Sequence, residues 1–488
     1  MFRRLAAVTA SGVLAAAGFV LAPATPALAA TCSGTVAQDF DDDGRADLVA
    51  ARTLPAGQAG VVDIIMTGGT IQTISASDLG SASAADDQFG ASVHIASFDR
   101  LDNCPDLAIG APGSAGGGAV YLVRGNGAGV DTASAHRIAS PAAGARFGAT
   151  VGIVDQSLSG PHLLAGAPGL EAGAAAEAGG VYLSALSGGV TSGSPVMLTY
   201  TDFGAPPAAG DHLGAVMDTF SWHLTLGVPD RDLGAATDAG EVISASLVDQ
   251  VGVLAVSTWA RANQDSQGAP GVAEAGDHFG ASLDAAGGLV LVGVPGEDVG
   301  KRRDAGMAMQ YADLGGHAVG NWKAWTQNSR GIPGTAEAGD AFGSAVHYNW
   351  FERLVDGDPV AQLVPVVGAP GEDIGKVKDA GDITVIPGVR KAFELNQNTP
   401  GLPGKAEAGD RMGAALGDLP GRYHGAYHDG DGLLVGAPGE DEGKVRDAGK
   451  IMQTEGLVPK GTFTWKTAKN LGEKVPDTRY GWTIPGAS

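Results

Sequence analysis

Apolar residues in this chain come in short bursts rather than long helical stripes. Val120-Tyr121-Leu122-Val123, Val181-Tyr182-Leu183 and Leu289-Val290-Leu291-Val292 are bounded by glycine, proline and aspartate, the pattern of strands closed by tight turns. After the first thirty residues, helical spacing of apolar positions is scarce. The bursts recur in a fixed phrase. An aromatic or apolar residue plus glycine opens it: Phe89-Gly90, Phe147-Gly148, Leu213-Gly214, Phe279-Gly280, Phe342-Gly343, Met412-Gly413 and Tyr480-Gly481. A glycine-apolar-proline triplet closes it at Gly110, Gly166, Gly227, Gly293, Gly368 and Gly436, with a degenerate closer after Asp47-Leu48-Val49-Ala50. Openers return every ~58–70 residues, the spacing of a repeat architecture.

The copy beginning at Glu274 shows the unit. A turn precedes a first strand starting at Phe279; a second runs from Leu289 to Pro295, a third from Met307 to Tyr311, and a fourth lies near Ala324-Trp325. Proline ends the second strand because it cannot donate to a central ladder. Four antiparallel strands make one propeller blade. The expected fold is therefore all-β, a seven-bladed β-propeller. The last opener has no second strand after it, and the first repeat lacks an opener. Tyr480 to Pro485 is thus expected to supply the first strand of the first blade, closing the ring without a loose edge.

Two connectors recur nearly verbatim. Pro-Gly-Glu-Asp-x-Gly-Lys-x-x-Asp-Ala-Gly occupies 295–306, 370–381 and 438–449, with a looser form at 229–240; Gly-x-Ala-Glu-Ala-Gly-Asp occupies 271–277, 334–340 and 404–410. In an up-and-down blade both leave the same face, which is expected to be acidic.

Composition adds the compartment. Arg3 and Arg4, an apolar stretch from Leu5 to Leu21 and the small-x-small site Ala27-Leu28-Ala29 read as a secretory signal over 1–29, leaving 30–488 as the propeller. No other stretch is apolar enough to cross a membrane. Hydrophobic residues make up 44% and charged residues 17%, so the 78 glycines mark turns in a packed body rather than disorder. The net charge of −23 argues against nucleic acid as a partner. The two cysteines, Cys32 and Cys104, would sit in an oxidising space and are expected to form one disulfide.

Six or seven Phe-Gly and Gly-Ala-Pro units in register resemble the FG-GAP repeats of integrin α-chain heads, of the propeller of glycosylphosphatidylinositol-specific phospholipase D, and of exported actinobacterial repeat proteins. The resemblance spans nearly all of the mature chain. It implies a seven-bladed propeller, extracellular placement and calcium in some blades. Asp39-Phe40-Asp41-Asp42-Asp43-Gly44-Arg45-Ala46-Asp47 matches that family's Asp-x-Asp-x-Asp-Gly-x-x-Asp loop at every acidic position. Alternate spacing puts the carboxylates of Asp39, Asp41 and Asp43 on one side of a tight turn. Gly44 permits the bend, the carbonyl of Arg45 adds an oxygen, and Asp47 closes the shell. Hard oxygen ligands in a flexible loop suit Ca²⁺. The second repeat keeps only Asp102 and Asp106, with Phe98 and Arg100 in ligand slots and Asp99 available through a shifted turn.

Catalytic signatures are sparse. There is no His-Glu-x-x-His, no Gly-x-Ser-x-Gly and no phosphate loop. The connectors offer carboxylates as candidate ligand-face acids: Glu297, Asp298 and Asp304, Glu372, Asp373 and Asp379, and Glu440, Asp441 and Asp447. Their repetition favours a role in the turns themselves, since a turn is copied with its blade and a catalytic pair is not. His212 and His278 share a slot before their openers and read as loop residues; His424 and His428 flank an insertion. Trp259, Trp325, Phe393 and Trp465 fall on expected fourth strands and read as blade-to-blade packing.

The sequence thus points to a secreted, calcium-stabilised propeller acting as an extracellular binding or adhesion module for a protein or glycan, through the face crowded by acidic connectors. A hydrolase or lyase working on the propeller axis, and a purely structural scaffold, are the alternatives.

Overall fold

The computed structural model describes residues 31–467 apart from 35, 53–58, 156–159, 250–253, 314–317, 356–357, 389–390, 403, 420–422, 425–426, 429–431 and 456–461. The expected signal (1–29) and closing segment (Tyr480 to Pro485) lie outside the described residues, as do the side chains of His424, His428 and Trp465.

Seven antiparallel sheets follow one another along the chain. Blades 2 to 7 each hold four strands, and their inner strands are Ser92–Ala96, Val151–Val154, Val216–Phe220, Ser282–Ala286, Ala345–Val355 and Ala415–Leu419. Blade 1 shows Leu48–Arg52, Val61–Ile65 and Ile71–Ile74. These are its second to fourth strands, because Leu48 follows Asp47 as Leu107 follows Asp106 on the second strand of blade 2. The one helical element among the described residues is a 3-10 turn, Tyr200–Phe203.

Both faces of each blade are apolar because each packs on a neighbour. Seven clusters of buried side chains are found among the described residues, one between each consecutive pair of blades. The last closes the circle: Leu434 and Ile451 of blade 7 pack against Leu48, Ala50 and Ile65 of blade 1. Trp259, Trp325 and Phe393 lie on fourth strands and pack at blade interfaces.

The openers are joints between blades rather than the first residues of strands. Blade 5's inner strand begins at Ser282, not Phe279, because Gly280 turns the chain with φ +91° and Phe279 bridges to Gly240 of blade 4. The closing glycine of one blade lies against the opener carbonyl of the next. A Cβ on Gly166 would stand 2.0 Å from the Gly214 oxygen, so only glycine fits. Beside it the Thr150 hydroxyl donates to that same oxygen at 2.9 Å. Ser92 and Ser282 make the same bond to Gly148 and Gly343. The repeated phrase is therefore a lock between adjacent blades.

Candidate functional site

The aspartate loop stands where blade 1 begins, beside the ring's seam. Asp42 and Gly44 take φ of 55° and 82°, which folds the loop back on itself. Asp39 accepts amides from Asp43 (3.0 Å) and Gly44 (2.8 Å). Asp47, fully buried, accepts from Phe40 and Thr67 at 2.8 and 2.9 Å and so braces the loop against the next hairpin. Asp43 takes the Thr67 hydroxyl at 2.6 Å. Oxygens of Asp39, Asp41 and Asp43 all lie within 4.8 Å of one another. Burial raises the pKa of Asp39, and the Asp43 and Asp41 charges add to it; burial chiefly pushes Asp47 up to about 6. One oxygen of Asp41 is buried without a hydrogen-bond partner among the described residues. Three converging carboxylates and an orphaned oxygen fit a hard divalent cation.

The second loop copies the brace without the three converging carboxylates. Asp106 accepts from Phe98, Asp99 and Gly125, as Asp47 does in the first loop. Asp99 and Asp102 accept amides two residues ahead, and Arg100 pairs with Asp155 of blade 3. Cys32 and Cys104 form the expected disulfide, which ties the segment before blade 1 to blade 2.

The connectors do crowd one face. Gln264 and Gln327, each following a fourth strand, donate to Glu297 (2.7 Å) and Glu372 (2.6 Å) of the next blade; Gln397 bonds Glu440 likewise. Asp298, Asp373 and Asp441 accept the amides of Asp304, Asp379 and Asp447 at 3.0, 3.1 and 3.0 Å. Those three last aspartates hold φ of 46–52°, a conformation that aspartate tolerates better than most residues. The acids thus serve their own turns and the joints between blades. Burial, reinforced by Asp277, pushes Glu297 up to about 7, and burial pushes Glu372 to about 7 as well. Blade 4 differs: Arg231 replaces the glutamate and pairs with Asp211 at 2.6 Å, its guanidinium over the Tyr200 ring at 4.4 Å. His212 and His278, from successive openers, both face Asp230, at 2.7 and 3.6 Å.

A second constellation has no counterpart in the sequence reading. The inner strands enclose an axial channel of about 650 Å³. Asp218, Asp284, His347 and Asp418 line it from blades 4, 5, 6 and 7. Inner strands leave edge amides unpaired in their own sheet, and these aspartates reach across to them. Ala285 N–H donates to Asp218 and Tyr348 N–H to Asp284, both at 2.7 Å. Asp284 also holds His347 Nδ1 at 2.7 Å. Burial disfavours the imidazolium, yet the Asp284 bond and the Asp284, Asp418 and Asp218 charges outweigh it, raising His347 to about 9. Burial and Asp284 push Asp218 up to about 7. The available signal was positional: five residues beyond successive openers stand His94, Gly152, Asp218, Asp284, His347 and Gly417.

No protein-family model matches the chain, and no curated protein matches it. Among solved structures it is similar to BBS1N, crystallised in complex with ARL6DN (TM-score 0.39, 11% identity, covering 84% of this chain and 91% of that one). It is also similar to the computationally designed Ika8 protein (TM-score 0.32, 9% identity, 76% and 85% covered). At these values neither likeness speaks to activity or partner.

Proposed function

We propose that the chain is an exported propeller of the FG-GAP kind, stiffened at its seam by calcium, that works as an extracellular binding or adhesion module for a protein or glycan. The observation that carries the reading is a break in the repeat. In blade 6 the first two strands run Ala345–Val355 and Asp358–Ala369, paired out to Val355 and Asp358, whereas blade 5 uses Ser282–Ala286 and Leu289–Val294. The same connection in blade 7 carries a second small ladder, Tyr423–His424 with Tyr427–His428. Connections between first and second strands leave one face of the disc, opposite the acidic connectors. Copied elements maintain the ring; two adjacent blades that build outward on one face offer a surface that no other blade repeats among the described residues. The connector acids are already engaged in turns, so the hairpin face is the better contact zone. At the seam, Asp39, Asp41 and Asp43 would hold the ion, with the Arg45 carbonyl as a further oxygen, and the ion would offset their mutual repulsion. The disulfide fits an exported protein.

The test shortens the blade 6 hairpin to a two-residue turn between Asn349 and Val364, residues that pair in the ladder. Wild-type and shortened chains are immobilised in calcium and exposed to envelope and culture-medium fractions. The account expects a partner retained by the wild type and lost from the shortened chain; equal retention by both rejects it.

One observation favours a second reading, an extracellular hydrolase or lyase. Asp218, Asp284, His347 and Asp418 bring carboxylates and an imidazole to the axis, as acid–base chemistry requires. Turnover in an unbiased substrate screen, abolished by His347→Gln, would establish it.

A further inference from the structure

Five residues past the openers of blades 2 to 6, and six past that of blade 7, where Asp418 follows Gly417, the repeat stops copying itself, and these residues line the axis. The resulting wall is uneven. Blades 4 to 7 contribute three carboxylates and one imidazole on consecutive inner strands. Blades 2 and 3 contribute His94, pushed down to about 4 by burial and so uncharged at neutral pH, and Gly152. Three carboxylates against one imidazolium leave this arc of a narrow cleft with net negative charge, whose field low-dielectric walls focus on cations.

The Asp218 carboxylate is oriented but keeps acceptor capacity. Asp218 accepts two amides, from Ala285 and Thr219, and an ionised carboxylate has about four acceptor sites. Two further polar atoms are buried without a hydrogen-bond partner among the described residues, His347 Nε2 and Tyr348 Oη. Both residues line the channel, and Tyr348 is only 3% exposed. Phe220, also lining it at the hairpin end of its strand, is 41% exposed despite its size. A bare metal ion suits this wall poorly. Among the described residues, the group close enough to share an ion is Asp39, Asp41 and Asp43, not the axial set. The channel's size is that of a small-molecule site.

We propose that the axial channel binds an organic cation, an amine or guanidinium carried on an apolar body. The charged head sits against Asp218, Asp284 and Asp418, and the apolar part lies along Phe220. His347, fixed through Nδ1 by Asp284, presents Nε2–H to an acceptor on the same ligand. The residues this site uses, Asp218, Asp284, His347, Asp418 and Phe220, lie outside the blade 6 hairpin, although Trp350 of that hairpin also lines the channel.

Benzylamine is the probe, with benzyl alcohol and benzoate as its neutral and anionic counterparts, each titrated into the full mature chain by calorimetry in saturating calcium. Benzylamine should bind saturably, the two counterparts should not, and Asp218→Asn with Asp418→Asn should weaken it by about tenfold or more. Glu297→Gln, on the connector face, should leave it unchanged. No benzylamine binding up to about 10 mM, or equal binding of benzyl alcohol or benzoate, overturns the proposal. If the double variant does not fold, the wild-type comparison of the three probes decides by itself. Loss of amine binding alongside hairpin-dependent partner capture would reject this site and leave the binding-module reading standing.

Discussion

At the scale of single residues, the copied positions are those where geometry admits one side chain. Gly166 faces a backbone oxygen that a methyl group would overlap. Gly166→Ala should destabilise by about 1–3 kcal/mol or more, as other overpacked sites do, read as a lowered denaturant midpoint; an unchanged midpoint would remove the lock from the account. The disulfide closes a sequence separation of 72 residues. On the chain-entropy model, Cys32→Ser should cost about 4 kcal/mol, measured by the same unfolding curve. Spacing made the Asp39–Asp47 loop legible, because its carboxylates are neighbours in the chain. Asp218, Asp284, His347 and Asp418 were not, because each reads alone as an ordinary polar residue in a short strand. Their convergence exists only once four blades are arranged around an axis.

At the scale of the element, the connector proves to be a turn, a joint and a titrating unit together. Asp277, Asp340 and Asp410 accept amides within their own turns. Burial chiefly, and nearby carboxylates, push them up to about 6, 6 and 7. Glu297 and Glu372 reach about 7. A carboxyl whose folded pKa is raised adds stability that is complete below its unfolded value and is lost as pH rises through the folded one. His347, raised to about 9, acts in the same direction; His94, lowered to about 4, opposes it below its ordinary value of 6.5. With seven acids against one histidine (Asp218 and Asp106, both pushed to about 7, complete the count), the melting temperature in saturating calcium should fall by a few °C between pH 5 and pH 8. Glu297→Gln with Glu372→Gln should flatten that slope, and a slope unaffected by both changes would refute the assignment. The sequence located these connectors and their shared face. That the glutamates are tied to glutamines of the preceding blade was not evident: Gln264, Gln327 and Gln397 recur seven residues before the second connector, but their reach to the next blade exists only once the blades lie side by side.

At the scale of the molecule, seven sheets pack into a ring in which blade 7 touches blade 1. The repeat count made that architecture readable because blades 2 to 7 share the same phrase. The blade 6 hairpin was not readable, because alternating residues from 345 to 369 do not announce where a strand ends. The first blade shows its second to fourth strands, leaving the inner place for the C-terminal opener. Deleting residues 478–488 should therefore lower the melting temperature sharply, whereas a truncated chain as stable as the full one would end the idea of closure by that segment.

The central functional claim is a ring pinned by a cation at its seam. Its most direct test is a calcium titration of the melting temperature, run on the wild type and on Asp41→Asn. Extracellular loops of this kind bind at roughly 10⁻⁴–10⁻³ M, so about 10 mM calcium should add about 1–3 kcal/mol. The account predicts a rise of a few °C in the wild type, reversed by chelator and absent in Asp41→Asn. A wild-type melting temperature indifferent to calcium, or an equal rise in the variant, would contradict it.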